Sequence, residues 1–207
     1  MAMEYTGLFV TFEGTEGVGK STLIREVAKM LRQIKVRNII TREPGGSRTS
    51  EKIRQIILSA DGIDPMSELL LYEAARAEHV TKTILPALRN GVTVLCDRFS
   101  DSSLAYQAYA RGLPWSQVKT LNKIATKGIS PNLVVLLDVD PALGLRRAKD
   151  HNRFENEGIK FQKRVRMGFL KARAENPRRW LVIKPDARST PADLAKEVLA
   201  RIRKINK

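Results

Sequence analysis

The stretch "FEGTEGVGKST", Phe12 to Thr22, decides how the rest of the chain is read. Gly14, Gly19, Lys20 and Ser21 within it fill the pattern G-x-x-x-x-G-K-[ST]. Glycines at those places let successive backbone N–H groups turn inward on an anion. The lysine adds a point charge for the outer phosphates of a nucleotide, and the hydroxyl can join the shell of a divalent cation. A chance match in a chain of this length is on the order of one in a hundred at average residue usage. The flanks supply the context that the pattern needs. "GLFVTF" before it is a short apolar, β-branched strand, and "STLIREVAKMLRQI" after it carries Leu23, Val27, Met30, Leu31 and Ile34 at helical spacing. The glycine order does not fit the dinucleotide fingerprint G-x-G-x-x-G. The segment Gly14, Thr15, Glu16, Gly17, Val18, Gly19, Lys20, Ser21 and Thr22 therefore reads as a cradle for nucleotide phosphates. Glu16 is the anomaly in it, because an idle carboxylate beside an anion site would weaken binding by about 1 kcal/mol or more.

The same strand-then-helix alternation runs along the whole chain. Strands are expected at residues 8–12, 36–41, 92–96, 133–139 and 180–184. Helices are expected at 19–34, 49–59, 66–90, 102–111, 115–127, 141–150, 159–175 and 190–204. Strands that are apolar throughout and alternate with helices predict an α/β chain with a five-stranded parallel sheet covered on both faces. This is the three-layer P-loop NTPase fold, with residues 1–207 as one domain and a short polar lid at about 149–158. Ligands in such folds sit beyond the carboxyl ends of the strands, which singles out "EGTEGVGKS", "REPGGSR", "DRFSDSS", "DVDPA" and "KPDARS".

Lysine and arginine number 37 against 22 acidic residues, a formal charge of +15. Such a balance suits nucleic acid and equally suits a pocket for two polyanionic nucleotides. Of the basic residues, 19 fall in residues 141–207, spread over helix faces without interleaved aromatics, so no specific nucleic-acid module is expected. No apolar run approaches the roughly 20 residues of a membrane span, and "MAMEYTG" does not read as a signal peptide, so a cytoplasmic location is expected. Cys96 is the single cysteine and lies in "VTVLC", where a buried thiol is the expected state. His79 and His151 are too far apart for a metal cluster and are expected at surface or lid positions.

Four segments taken in order, "FEGTEGVGKST", "TREPGG" (41–46), "DRFSDSSLAYQ" (97–107) and "LLDVDPALGLRRA" (136–148), resemble the thymidylate (dTMP) kinases, with the helix "LLLYEAAR" (69–76) between the second and third. The resemblance implies transfer of the γ-phosphoryl of ATP to the 5′-phosphate of dTMP, with Mg²⁺, in a homodimer. It implies that Glu16 accepts a hydrogen bond from the sugar 3′-hydroxyl of dTMP, and that Asp97, with Ser21, serves the metal. Arg98 grips phosphate in such enzymes, where catalysis rests on positioning and charge neutralisation by groups such as Lys20 rather than on a strong base. Further implied dTMP contacts are Arg42, Pro44, Arg54, Tyr72 stacked on the base, Arg76 at its edge, Ser103, and Tyr106 against the 2′ carbon. Many relatives carry phenylalanine in place of Tyr72, and Arg54 fits a solvated helix face equally well. Asp186 and Ala187 match a loop that borders adenine.

Some members of that family carry an arginine directly after the acidic residue of the loop, where this chain has Gly17. The others supply it from the lid. The segment "KDHNRFENEG" makes Arg153 the implied catalytic arginine, supported by Arg146 or Arg147, which the sequence does not separate. Two other readings stay open at this point: a kinase for another nucleoside monophosphate or deoxynucleoside, and a nucleic-acid-dependent ATPase suggested by charge.

Overall fold

The computed structural model describes residues 5–60, 62–147, 157–186 and 188–205. Five strands, β1 (Phe9–Glu13), β2 (Asn38–Arg42), β3 (Thr93–Asp97), β4 (Leu133–Leu137) and β5 (Trp180–Ile183), form one sheet in the order β2-β3-β1-β4-β5. Every pairing is parallel. The register sets Phe12 and Arg42 opposite Asp97, and Glu13 opposite Leu136. The carboxyl ends are therefore level, and the loops that leave them share one edge.

Side chains alternate across the sheet. Val10 and Phe12 of β1, with Leu133, Val135 and Leu137 of β4, pack under α1 (Lys20–Gln33) and the C-terminal helix α9 (Pro191–Ile205). Phe9, Val94 and Cys96 face the other way, onto a rod that runs from α3 (Pro65–His79) into α4 (Leu85–Arg89), and they meet Val80, Ile84, Leu85 and Leu88 in its later part. Val134 and Leu136 on that face meet α8 (Gly158–Glu175) and residues 104–110. Cys96 is fully buried, and burial pushes its thiol well up. The edge strand β2 departs from the apolar expectation, with Ile40 47% exposed. An outermost strand has only one neighbour, so its outward positions need not be sealed.

The expected helix 66–90 is α3 and α4 joined by a π-helical turn, Val80–Ile84. Pro86 explains the interruption, because it lacks an N–H and its ring displaces the carbonyl one turn back. The expected helix 102–111 likewise begins as the short α5 (Ser100–Ser103) and continues as a π-helical turn, Leu104–Ala110. Helix α8 lies directly on that wide turn. A Cβ at Gly168 would stand 2.7 Å from Ala105 Cα and 2.8 Å from Tyr109 Cβ, so only glycine permits the approach. Phe161 and Phe169 of α8 then hold the Tyr106 ring edge-on, each at 6.2 Å. The remaining helices are α2 (Arg48–Ser59), α6 (Trp115–Ala125) and α7 (Pro141–Arg147). Replacing Gly168 with Ala should lower stability by about 1–3 kcal/mol, seen as a calorimetric midpoint lower by about 2–4 °C per kcal/mol in a chain of this size. An unchanged midpoint would show that α8 does not bear on the turn this way.

Candidate active site

The phosphate loop leaves the buried strand β1 and enters α1 with Gly14 at φ 144°, Gly17 at 67° and Gly19 at 95°. Gly14 also lies under the Leu137 carbonyl, which a Cβ would meet at 2.8 Å. Val18 is drawn into the core, so within the loop its backbone alone can face a ligand. Lys20 is buried and folds back to donate from Nζ to the carbonyls of Thr15 (3.0 Å) and Gly14 (3.3 Å). Burial lowers its ammonium and Arg98 adds to this, opposed by Asp97, Glu16 and Glu13. The Thr15 hydroxyl is buried and has no partner among the described residues, while Thr22 is exposed and accepts from Arg25. Ser21 Oγ donates to Asp97 Oδ2 at 2.9 Å, which brings the two proposed metal ligands together between the start of α1 and the end of β3.

Glu16 is engaged. Its Oε1 accepts from Arg98 at 2.8 Å and from the Tyr106 hydroxyl at 3.0 Å. Burial alone would raise this carboxyl; Arg98, Lys20 and Tyr106 outweigh it and hold it below the ordinary range. Arg98 sits at φ 68°, a left-handed conformation uncommon for a residue with a side chain. From there its guanidinium also donates to Gly14 O at 2.9 Å and lies 5.0 Å from the Tyr106 ring centroid. Opposing burial, Glu16 and Tyr106 raise its pKa further, so it is permanently charged.

Beside this pair opens a cavity of about 100 Å³, and Glu16, Pro44, Arg54, Tyr72, Arg76, Arg98, Ser103 and Tyr106 all line it. The proposed acceptor residues thus converge, Arg42 excepted. Arg42 is half exposed and paired with Glu51 at 2.9 Å. Arg54 donates to Pro44 O at 2.9 Å. Burial raises the Tyr72 hydroxyl, so it is neutral at physiological pH. Arg76 is 2% exposed and is the hub of the back wall. It donates to Glu43 (2.8 Å), Glu73 (2.6 Å), Ser103 (3.0 Å), Asn122 (2.7 Å) and the Phe99 carbonyl (3.2 Å).

Glu43, Phe99, Ser102 and Gln107 also line the cavity and are absent from the sequence reading. Glu43 lies inside the quoted "TREPGG", where a buried carboxylate needs a cation; that cation, Arg76, stands 33 positions away. His79 is a correction. It is fully buried rather than at the surface, with Nδ1 3.0 Å from Glu43 Oε1 and Nε2 2.7 Å from Thr41 Oγ1. A Cβ at Gly46 would strike its ring at 2.3 Å, so the glycine is what lets the loop lie against the histidine.

Arg146 and Arg147 are exposed on α7, which presses on the phosphate loop: a Cβ at Gly144 would meet the Glu16 carbonyl at 2.3 Å. Asp186 is exposed, and its Oδ1 accepts from the Arg188 and Ser189 N–H groups, so the carboxylate builds its own turn before α9. Arg153, His151, Ala187 and most of the expected lid lie outside the described residues.

The family model described as thymidylate kinase matches residues 12–196. The chain belongs to the thymidylate kinase family. A thymidylate kinase of Synechococcus sp. is 45% identical over 188 residues, covering 91% of this chain and 90% of that one. That of Enterococcus faecalis is 46% identical over 190 residues, covering 88% and 89%. Among solved structures, the thymidylate kinase of Ehrlichia chaffeensis superposes with a TM-score of 0.77 at 32% identity, over 96% of this chain and 98% of that one. The five-stranded parallel sheet and its flanking helices are the fold of this family.

Removing the Arg76 guanidinium would leave Glu43 and Glu73 buried without their cation, a loss of roughly 3–5 kcal/mol. Arg76→Met should therefore lower the thermal midpoint by at least about 6 °C. A midpoint within 1–2 °C of the parent would show that the carboxylates do not depend on it.

Proposed function

We propose that this chain transfers the γ-phosphoryl group of ATP to dTMP, giving ADP and dTDP. The observation that carries the reading is the join between two sites: Glu16 of the phosphate loop is held by Arg98 and Tyr106, residues of the neighbouring cavity, at 2.8 and 3.0 Å. One loop thus faces ATP with its backbone N–H groups and the acceptor with its carboxylate. Glu16 is oriented to take the 3′-hydroxyl of the sugar, and the Tyr106 ring closes the space a 2′-hydroxyl would need. Tyr72 and Arg76 meet the base, with Ser103 and Pro44 shaping the pocket, and Arg54 and Arg42 approach the acceptor phosphate.

Ser21 Oγ and Asp97 Oδ2 offer hard oxygen ligands side by side. Among the described residues no group of three His, Cys, Asp or Glu side chains could hold a metal, which suits Mg²⁺, an ion that keeps waters and phosphate oxygens for most of its shell. When bound, Mg²⁺ would neutralise charge on the outer phosphates. Lys20 would release its loop carbonyls for those phosphates, and Asp186 and Ala187 would border the adenine. The acceptor phosphate is already ionised, so no strong base is needed near it.

Three adjoining helices, α2, α3 and α6, expose Ile56 (51%), Leu70 (50%) and Ile124 (69%), which supports a homodimer. The reaction is placed in the cytoplasm in this reading, and no helix among the described residues is long and apolar enough to cross a membrane. Residues 1–207 act as one domain in this reading.

A coupled ADP-release assay with dTMP, dUMP, dCMP, dGMP and AMP in turn tests the proposal. Stimulation by dTMP well above the others supports it, and no acceleration by dTMP refutes it. Arg153→Ala should reduce kcat by up to ~10³-fold, by analogy with arginine fingers, with KM for ATP and dTMP little changed. A raised KM at constant kcat would show that Arg153 binds ground-state substrate instead.

A further inference from the structure

Glu13 ends β1 with its side chain wholly buried behind the acceptor cavity. Its two oxygens have separate tasks. Oε1 accepts from the backbone N–H of Phe99 at 2.9 Å, and Oε2 accepts from the Ser102 hydroxyl at 2.6 Å. Those two groups bracket the residue that the phosphate chemistry needs, since Phe99 directly follows Arg98 and Ser102 lines the cavity one turn further on. Arg98 holds its left-handed backbone between these anchors, with Arg98 N donating to Phe12 O (3.0 Å) and Cys96 Sγ donating to Arg98 O (3.1 Å). Its NH1 comes to 3.5 Å from Ser102 Oγ. A hydroxyl has one proton. Because Glu13 takes it, the lone pairs of Ser102 are left to face Arg98.

We infer that Glu13 is a positioning residue of the phosphoryl-transfer site, acting through Ser102 and the Phe99 N–H to hold Arg98 in the conformation that reaches the phosphate loop and the acceptor. The inference rests on the function proposed above. Glutamine has almost the same shape, and its carbonyl can still accept from Phe99. Its amide, however, donates toward Ser102, which reverses the hydroxyl and turns a proton toward the Arg98 guanidinium. The structure therefore separates filling the space from setting the polarity.

The charged and titratable groups facing Glu13 are Asp101 of α5, Arg98, Lys20 of α1 and Cys96 of β3. Burial, and then Asp101, push the Glu13 carboxyl up to about 8, against Ser102, Arg98 and the Phe99 N–H, which favour its ionised form. A free glutamate titrates at about 4.3. Between those values the unfolded chain releases the proton more readily than the folded one, so Glu13 costs stability as pH rises toward 8. A residue retained for the fold alone would behave in the opposite way when replaced by its neutral isostere.

The test uses the full-length chain, with Glu13→Gln, Ser102→Ala and the double variant compared by dTMP-dependent ADP release from pH 6.5 to 9 and by thermal midpoint at pH 8.5. Glu13→Gln should lower kcat/KM for dTMP at least tenfold at pH 8.5, with KM for ATP within twofold of the parent and a thermal midpoint equal to or above it. The ratio of parent to variant kcat/KM should climb with pH through about 8, a quotient in which the ionisation of dTMP itself cancels. Ser102→Ala should lose activity in the same sense, and the double variant should be little worse than either single one. Parent-like kcat/KM in both single variants, a flat pH ratio, or a lowered midpoint with unchanged activity per folded molecule would overturn the inference alone. A parent chain that ignores dTMP at every pH would overturn the proposed function, and the inference with it.

Discussion

The Arg98–Glu16 ion pair, 2.8 Å long and largely withdrawn from water, is the contact on which the site depends. It joins the loop after β1 to the loop after β3, which leave neighbouring strands at the same level. Each partner would be costly alone in this place: an unpaired carboxylate among phosphates repels them, and a buried guanidinium needs acceptors. Paired, they become a fixed dipole between two anion sites. The Gly14 carbonyl and the Tyr106 hydroxyl take up further capacity on the two side chains, so the pair has little freedom to swing.

Close packing at glycines turns this contact into a defined geometry. Gly144 lets α7 touch the Glu16 carbonyl, Gly168 lets α8 touch the π-helical turn that carries Tyr106, and Gly46 lets the loop after β2 touch His79. In each case the glycine removes a Cβ that backbone or a ring would otherwise meet below 3 Å. Behind them the Arg76 network ties α3, α6 and two loops into one charged wall, balanced by Glu43 and Glu73. Buried ion pairs of this kind contribute little net stability but punish the loss of one partner. That suits a pocket whose shape must survive the arrival of a polyanion.

The sheet was legible in the sequence because fully buried parallel strands need continuous apolar runs, and β1, β3 and β4 have them. The phosphate loop was legible because few residue types can line it. The cavity residues came from segments that resemble the thymidylate kinases, and eight of the nine acceptor residues line it. Arg42 stands off that lining because its neighbour on the next helix, Glu51, draws it outward. What escaped was partnership over long separations. His79 looked like a surface residue because its partners, Thr41 and Glu43, lie 38 and 36 positions away. Glu13 and Ser102 sit inside quoted motifs, but no local pattern says that two residues 89 apart are hydrogen-bonded. The π-helical turns were hidden for a related reason: they preserve apolar spacing well enough to read as plain helix.

A double-mutant cycle on kcat/KM for dTMP with Glu16→Gln, Arg98→Met and the two combined measures that central contact most directly. If the pair works as a unit, the double variant should lose far less than the product of the single losses, with a coupling on the order of 2 kcal/mol, or about 30-fold. Single losses that simply multiply would contradict the account, because Glu16 and Arg98 would then serve the two substrates independently.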